Sequence, residues 1–152
     1  FNGTYIKNAS VDTLRIAGNA VTVPDGISGN ISVTLGTSYV KVGELTVDYD
    51  DPAHTPSGVI GIAGVQVSGN TSGSDQTLNI ELRRVYTNNT YNGQHVAESV
   101  KYDFGHVVTI GAHWTVSQVS TSTTFKLELW AKVDTGSRSA NRYFISAITS
   151  KR

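Results

Sequence analysis

The stretch LNIELR at residues 78–83 is the clearest signal for the fold of this chain. Leu78, Ile80 and Leu82 alternate with polar residues, and a two-residue period is that of a β-strand with one buried and one solvent-facing side. The same period returns at residues 108–116 and 125–131. Because no stretch has the 3.6-residue period of a long helix, the sequence predicts an all-β protein.

Other segments extend this prediction to the whole region after residue 24. Apolar residues change parity at Gly43, which indicates a β-bulge, and residues 59–67 (VIGIAGVQV) are apolar on both parities, as in a central strand. With a final strand at residues 143–148, the pattern gives about eight strands with short turns, typical of an antiparallel two-sheet sandwich of the jelly-roll kind. We therefore predict a jelly-roll-like β-sandwich domain over residues 25–152, with the strand order left open.

Composition excludes several classes of function. The 152 residues include 12 basic and 12 acidic side chains without long runs of either sign, which argues against nucleic acid as a partner. The absence of cysteine excludes disulfides and thiol catalysis. No apolar run approaches the roughly 20 residues of a membrane helix, so we predict a soluble fragment without membrane insertion. Because it begins with Phe1 and contains no Met, we expect it to be a piece of a longer polypeptide.

Signatures of catalysis are missing. The four histidines do not form a metal-binding His-x-x-x-His pattern, and there is no Gly-x-Ser-x-Gly or phosphate-binding loop motif. Asp48, Asp50 and Asp51 precede a proline, which favours a structural turn, with a calcium site as the alternative. The sequence thus predicts a protein that is not an enzyme and has no cofactor or metal.

Four polar loops, at residues 50–58, 68–76, 87–93 and 134–142, are candidates for recognition. Tyrosine and arginine offer large contact area with a polar end, which is the chemistry of binding hot spots. The predicted receptor-contacting residues are His54, Asn88, Asn89, Tyr91, Asn92, Arg138 and Arg142. The alternative is that these loops are simply solvated hairpin tips.

The two tryptophans differ in their strand parity. Trp114 alternates with Ile110, which predicts a core position. Trp130 shares its parity with Glu128 and Lys132, and so belongs on the polar face of its strand. An exposed tryptophan there would be covered by another subunit, which we favour, or would stack a sugar ring.

The first residues of the chain follow neither a strand nor a helix period. Ile6, Val11, Ile16 and Val21 recur every five residues, with small polar residues between them. This spacing predicts an extended stem over residues 1–24 that winds around copies of itself, each copy giving one apolar residue per step to a shared axis. The alternative is an irregular lead-in to the first strand.

The segment contains NASVDTL at residues 8–14, followed by IAGNAVT at residues 16–22. In this order the two motifs resemble a segment of the lambda-type host-specificity, or central tail fibre, proteins of long-tailed phages. There it joins the body of the tail-tip protein to its host-binding end. The resemblance is confined to about the first 24 residues. It implies a homotrimer at the distal end of the virion tail, attached to the upstream part of the tail-tip protein and bound to a bacterial outer-membrane protein or surface glycan.

Three hypotheses of function remain after the sequence. The first is a phage receptor-binding domain that acts during host adsorption. The second is a carbohydrate-binding module of an extracellular protein, with Trp130 or Tyr91 as the stacking platform. The third is an architectural domain that caps a fibre without contacting the host.

Overall fold

The computed structural model describes residues 21–48, 56–69, 73–85, 89–101, 105–115 and 124–151. These residues form eight β-strands and no helix, so none of the described segments is a helix that could cross a membrane. The strands are β1 (Val21–Leu35), β2 (Val40–Asp48), β3 (Pro56–Val67), β4 (Gln76–Val85), β5 (Tyr91–Val100), β6 (His106–Thr115), β7 (Thr124–Val133) and β8 (Arg138–Lys151).

The strands form two antiparallel four-stranded sheets that pack face to face. Sheet A has the order β1-β8-β3-β6, and sheet B has the order β2-β7-β4-β5. Consecutive strands lie in opposite sheets except for β4 and β5, which form a hairpin in sheet B. This is the strand order of a jelly roll. The sequence prediction of an all-β, two-sheet antiparallel sandwich is therefore confirmed.

The core lies between the inner faces of the sheets. The strict alternation seen in LNIELR places Leu78, Ile80 and Leu82 fully inside, where they meet Ile145 and Leu129 from other strands. Trp114 is only 5 % exposed, which confirms its predicted core position. Burial of these apolar side chains is the main source of stability, at about 25 cal/mol per Å² removed from water.

Gly43 lies at a β-bulge, as its sequence context predicts. The register between β2 and β7 shifts between Lys41 and Gly43. The ring of Tyr143, on β8 of the opposite sheet, lies against Gly43, and a methyl group at this position would collide with the ring. The bulge therefore also allows the two sheets to approach closely at this point. The predicted central strand at residues 59–67 is confirmed as well, since β3 pairs with both β6 and β8.

The two ends of the sandwich differ in what they carry. β1 begins and β8 ends at one end, here called the near end, where Val21 pairs with Lys151. β5 begins at the near end with Tyr91, which pairs with Val85 at the end of β4. The strand ends that the connections β1–β2, β3–β4, β5–β6 and β7–β8 join lie together at the far end.

The predicted stem, residues 1–24, overlaps with the first strand of sheet A, which begins at Val21. Val21, its last apolar five-residue position, is the first residue of β1, so residues 21–24 already pair with β8. Ile6, Val11 and Ile16 lie outside the described residues.

The turn between β7 and β8 is held by Asp134. Its Oδ1 accepts a hydrogen bond from the Thr77 amide at 2.8 Å, and its own amide donates to the Thr77 carbonyl at 3.0 Å. The Thr77 amide holds the pKa of the Asp134 carboxyl below its usual value. A lowered folded pKa stabilises the fold above the usual aspartate pKa, about 4, and this stabilisation is lost as the pH falls through the folded value.

We expect Asp134→Asn to remove part of the acid sensitivity of the fold. Asparagine keeps the Oδ1 acceptor but has no charge to lose. Urea unfolding at several pH values between about 2 and 7 should show a shallower loss of unfolding free energy below about pH 4 in the variant than in the parent chain. Parallel pH profiles for the two proteins would contradict this role of the carboxylate.

Candidate binding surface

The outer faces of the two sheets carry different kinds of side chain. The outer face of sheet B carries both signs of charge and several aromatic rings, whereas the middle of the outer face of sheet A is uncharged. Among the side chains that the structure describes, the charged outward residues of sheet B are Lys41, Glu44, Glu81, Arg83, Lys126, Glu128 and Lys132. Polar and aromatic groups that converge on a rigid sheet are a candidate site for recognition.

Four residues on this face form what we call the aromatic–arginine cluster: Tyr39, Arg83, Tyr91 and Trp130. The guanidinium carbon of Arg83 lies 4.2 Å from the centroid of the Tyr91 ring, 4.3 Å from that of Trp130 and 5.6 Å from that of Tyr39. A cation within about 6 Å of an aromatic centroid is attracted by the ring quadrupole, by about 0.5–2 kcal/mol. These contacts with the Arg83 guanidinium hold the three rings together on the sheet.

Strand order explains why these residues meet. β4 lies between β5 and β7, and Arg83 on β4 is directly opposite Gly93 on one side and Glu128 on the other. Tyr91 comes two residues before Gly93, and Trp130 comes two residues after Glu128. Both rings are therefore diagonal neighbours of Arg83, within reach of a long side chain. Tyr39 joins from the connection between β1 and β2.

Gly93 leaves room for the carboxylate that fixes the arginine. A methyl group on Gly93 would collide with Oε1 of Glu81. The Oε2 atom of the same carboxylate accepts a hydrogen bond from Nη2 of Arg83 at 2.8 Å. The two side chains are only 13 % and 15 % exposed, so this pair is better shielded from solvent than an ordinary surface pair.

Trp130 is held in the same manner. Its Nε1 donates to Oε2 of Glu128 at 2.9 Å, and Lys41 donates to Oε1 of Glu128 at 3.3 Å. Hydrogen bonding to Glu44 raises the pKa of the Lys41 ammonium, and Lys41 and Lys126 in turn lower the pKa of the Glu44 carboxyl. The indole of Trp130 is thus fixed by a network of ion pairs before any ligand arrives.

Tyr39 is more enclosed than Tyr91. Burial, reinforced by the Glu81 carboxylate, raises the pKa of the Tyr39 phenol, and the Lys132 ammonium lies 4.8 Å from the centroid of its ring. Tyr91, in contrast, is 51 % exposed. Tyr91 is therefore the member of the cluster with the most surface free for contact.

The sequence-predicted contact residues are spread over the molecule. Tyr91 is in the cluster, and Asn89, in the turn before β5, is exposed with a left-handed φ of 63°. Asn92 is exposed but, being the next residue after Tyr91, points to the other side of the sheet. Arg142 on β8 is exposed, and its Nε donates to Oδ1 of Asn30 at 3.0 Å. His54 and Asn88 lie outside the described residues.

The prediction that Arg138 is an exposed contact residue is wrong. Arg138 is the first residue of β8 and is only 3 % exposed. Its Nε donates to Oε1 of Gln76 and its Nη2 to the carbonyl of Lys101, both at 2.9 Å. Burial lowers the pKa of the guanidinium, and the nearby Asp75 carboxylate opposes this shift. Arg138 thus joins the start of β8 to the start of β4 and to the residue after β5. The prediction failed because the polar sequence around Arg138 is typical of a loop, whereas the residue occupies an inward-facing strand position.

Trp130 lies on the outward face of sheet B and is half-buried, in agreement with its predicted parity. Sequence reasoning missed its partners Arg83 and Tyr39. Arg83 has the outward parity of the LNIELR pattern, but only the strand order shows that β5 and β7 bring rings to both of its sides.

Metal-binding groups do not cluster in the described ranges, where no three histidine or acidic side chains come together as metal ligands. Nε2 of His106 contacts Oε1 of Glu98 at 2.7 Å across the exposed edges of the two sheets. What the outer face of sheet B offers for contact is rings, hydrogen-bonding groups and charges.

No protein-family model and no curated protein matches this chain. Among solved structures, it is similar to the structure of the infectious bursal disease virus Gx strain, with a TM-score of 0.57, 10 % identity, and coverage of 88 % of this chain and 38 % of that one. It is also similar to the VP2 subviral particle of the same virus, with a TM-score of 0.50, 13 % identity, and coverage of 85 % and 37 %.

The chain thus spans little more than a third of the length of these viral proteins, and at such identity the likeness concerns the fold alone. A xylan-binding domain from Paenibacillus barcinonensis matches 89 % of this chain and 86 % of its own length at 11 % identity, but its TM-score of 0.36 is too low to support a conclusion.

Proposed function

We propose that this chain is the receptor-binding domain at the distal end of a phage tail, and that the outer face of sheet B contacts the bacterial receptor during adsorption. The resemblance of residues 8–22 to lambda-type tail-tip proteins supports the location in the virion. The jelly-roll sandwich, a fold that viral particle proteins also use, is compatible with it. The expected assembly is a homotrimer joined through residues 1–24 to the upstream part of the tail-tip protein.

The observation that carries this proposal is the exposed ring of Tyr91 on the fixed guanidinium of Arg83. Binding hot spots are enriched in tyrosine, tryptophan and arginine, because these side chains offer large area for little loss of conformational entropy. Glu81 already holds Arg83 in place, so a ligand would not have to order it. Half of the Tyr91 surface can therefore be buried by a receptor at small entropic cost.

The receptor on this proposal is an outer-membrane protein or a surface glycan. Rings flanked by ammonium, guanidinium and carboxylate groups can serve either, since both present apolar patches edged with hydroxyl, amide or charged groups. Neither requires a cofactor or a metal from this chain. The domain acts by binding, without an enzymatic step.

We expect Tyr91→Ala to weaken binding of the domain to susceptible bacteria by about 10- to 30-fold, the size of one hot-spot residue. The measurement is binding of the fluorescently labelled full chain to a panel of bacterial strains, with competition against phage adsorption. The matched control is Ser99→Ala, on the same strand and the same face but about 26 Å away. Equal binding by the parent chain and Tyr91→Ala would contradict the assignment of the contact surface.

The carbohydrate-binding module remains the second candidate, because Trp130 and Tyr91 lie on one face with a cation between them. A glycan array separates the two candidates. Saturable binding to an isolated glycan, lost in Trp130→Ala with unchanged solution mass, would favour a sugar ligand. Adsorption unaffected by substitutions anywhere on the outer face of sheet B would favour the architectural cap.

A further inference from the structure

The outer face of sheet A exposes apolar side chains that none of the described residues covers. Ile60 and Ile62 on β3 are each 48 % exposed, and Ile148 on β8 is 41 % exposed. They are direct or diagonal neighbours, because Ile60 pairs with Ile148 and Ile62 pairs with Ser146. Phe144 extends this patch toward the far end.

Charge is almost absent from this face. Its described outward residues on β3, β6 and β8 are isoleucine, valine, phenylalanine, glycine, serine, threonine, glutamine and histidine, with one charged exception. That exception is Arg142, which pairs with Gln66, six residues and about 20 Å from Ile60. His113 pairs with Ile60 and is the titratable neighbour of the patch within the described strands.

The face is also flat. The Phe144 ring lies over Gly64, where a methyl group would collide with it. Gly111, opposite Ile62, adds no side chain. A sheet with few protruding side chains allows the same face of other copies to approach it closely.

We propose that the outer face of sheet A is the contact between copies of this chain in a homo-oligomer. An uncharged apolar face is complementary to itself, since bringing copies together neither opposes like charges nor buries an unpaired one. The outer face of sheet B, with its ion pairs, would incur a desolvation cost that sheet A avoids. Exposed apolar patches of this kind on soluble domains mark interaction sites.

The area of this face and its position in the molecule both favour a second copy of the chain as the partner that covers it. Four strands of about ten residues present roughly 600 Å² in projection, close to the about 800 Å² per partner of a stable interface. The isoleucines lie toward the near end, where β1 begins at Val21, because Ile148 pairs with Pro24. Chains associated along residues 1–20 would therefore bring these faces together as they enter sheet A.

This inference deepens the proposed function by naming the surface through which copies meet, and its argument from position rests on the stem proposed there, whereas the arguments from charge, flatness and area do not. The aromatic–arginine cluster lies on the opposite sheet and would remain exposed in the oligomer. Failure of the interface would leave the Tyr91 experiment intact, and the converse also holds.

The first test is the solution mass of the full chain, measured by light scattering at concentrations from about 1 to 100 µM. The protomer mass is 16.2 kDa. We expect a multiple of this mass for the parent chain and the protomer mass for Ile60→Lys with Ile62→Lys. The control, Thr46→Lys with Ser99→Lys, adds the same charge to exposed positions of sheet B and should keep the parent mass. Circular dichroism checks that each variant is folded.

A second test does not require a disruptive variant. The chain has no cysteine, so Ser146→Cys places one thiol in the middle of the face. A short bismaleimide should join copies of Ser146→Cys into covalent oligomers but leave Ser99→Cys as protomers. A monomeric parent chain, an oligomer unaffected by the two lysines, or equal crosslinking at both positions would overturn the proposal. So would a monomer whose cell binding is abolished by Ile60→Lys, since the face would then bind the receptor.

Discussion

Arg138→Ala is expected to lower the unfolding free energy by about 3 kcal/mol, a large effect for a single side chain. The guanidinium, which is itself only 3 % exposed, donates to the buried side chain of Gln76 and to the half-buried carbonyl of Lys101. Truncation would leave these acceptors without their charged donor, and burial prevents water from replacing it fully. For a domain of this size the loss corresponds to about 6–12 °C in Tm.

The matched control is Arg142→Ala, four residues along the same strand. Arg142 is exposed and makes a hydrogen bond to Asn30, so its loss should stay within about 0.5 kcal/mol. Urea denaturation of both variants gives the comparison. Similar losses for the two arginines would mean that the hydrogen bonds of Arg138 do not hold the far-end connections together.

Gly43→Ala is expected to cost about 2 kcal/mol, because the new methyl group would occupy the position of the Tyr143 ring. The ring cannot move aside freely, since Gly29 lies on its other side, where an added Cβ would come within 3.2 Å of it. Gly36→Ala serves as the control. An added Cβ there meets nothing within 4 Å, so the substitution should be neutral or slightly stabilising.

A double-mutant cycle identifies the cause of this loss. In a Tyr143→Ala background the ring is gone, and Gly43→Ala should cost much less than in the parent chain. Thermal or urea unfolding of the four proteins gives the coupling energy. An unchanged cost in the Tyr143→Ala background would place the strain in the bulge itself.

Local pattern was enough to predict the strands and much of the core. The alternation of Leu78, Ile80 and Leu82, the parity change at Gly43 and the inward parity of Trp114 all reflect the two-residue period of a strand, which sequence displays directly. The sandwich follows, because about eight short amphipathic strands can bury their apolar sides by packing as two sheets.

The candidate site depends on information that periodicity does not contain. Arg83 meets Tyr91 and Trp130 because β4 lies between β5 and β7, and β7 is distant from β4 in sequence. Arg138 has the sequence context of a loop residue for a related reason. Its neighbours are polar, and its partners are Gln76, the first residue of β4, and Lys101, which follows β5.

The jelly-roll order also has a consequence for how the chain folds. Apart from β4 and β5, no two consecutive strands of the described chain pair, and β1 finds its partner in β8, the last strand. Such non-local pairing is associated with slow folding, because long loops must close before most of the strand contacts form. During synthesis β1 has no partner until β8 has left the ribosome, so the nascent chain exposes unpaired apolar strands, and we expect chaperones to raise its yield.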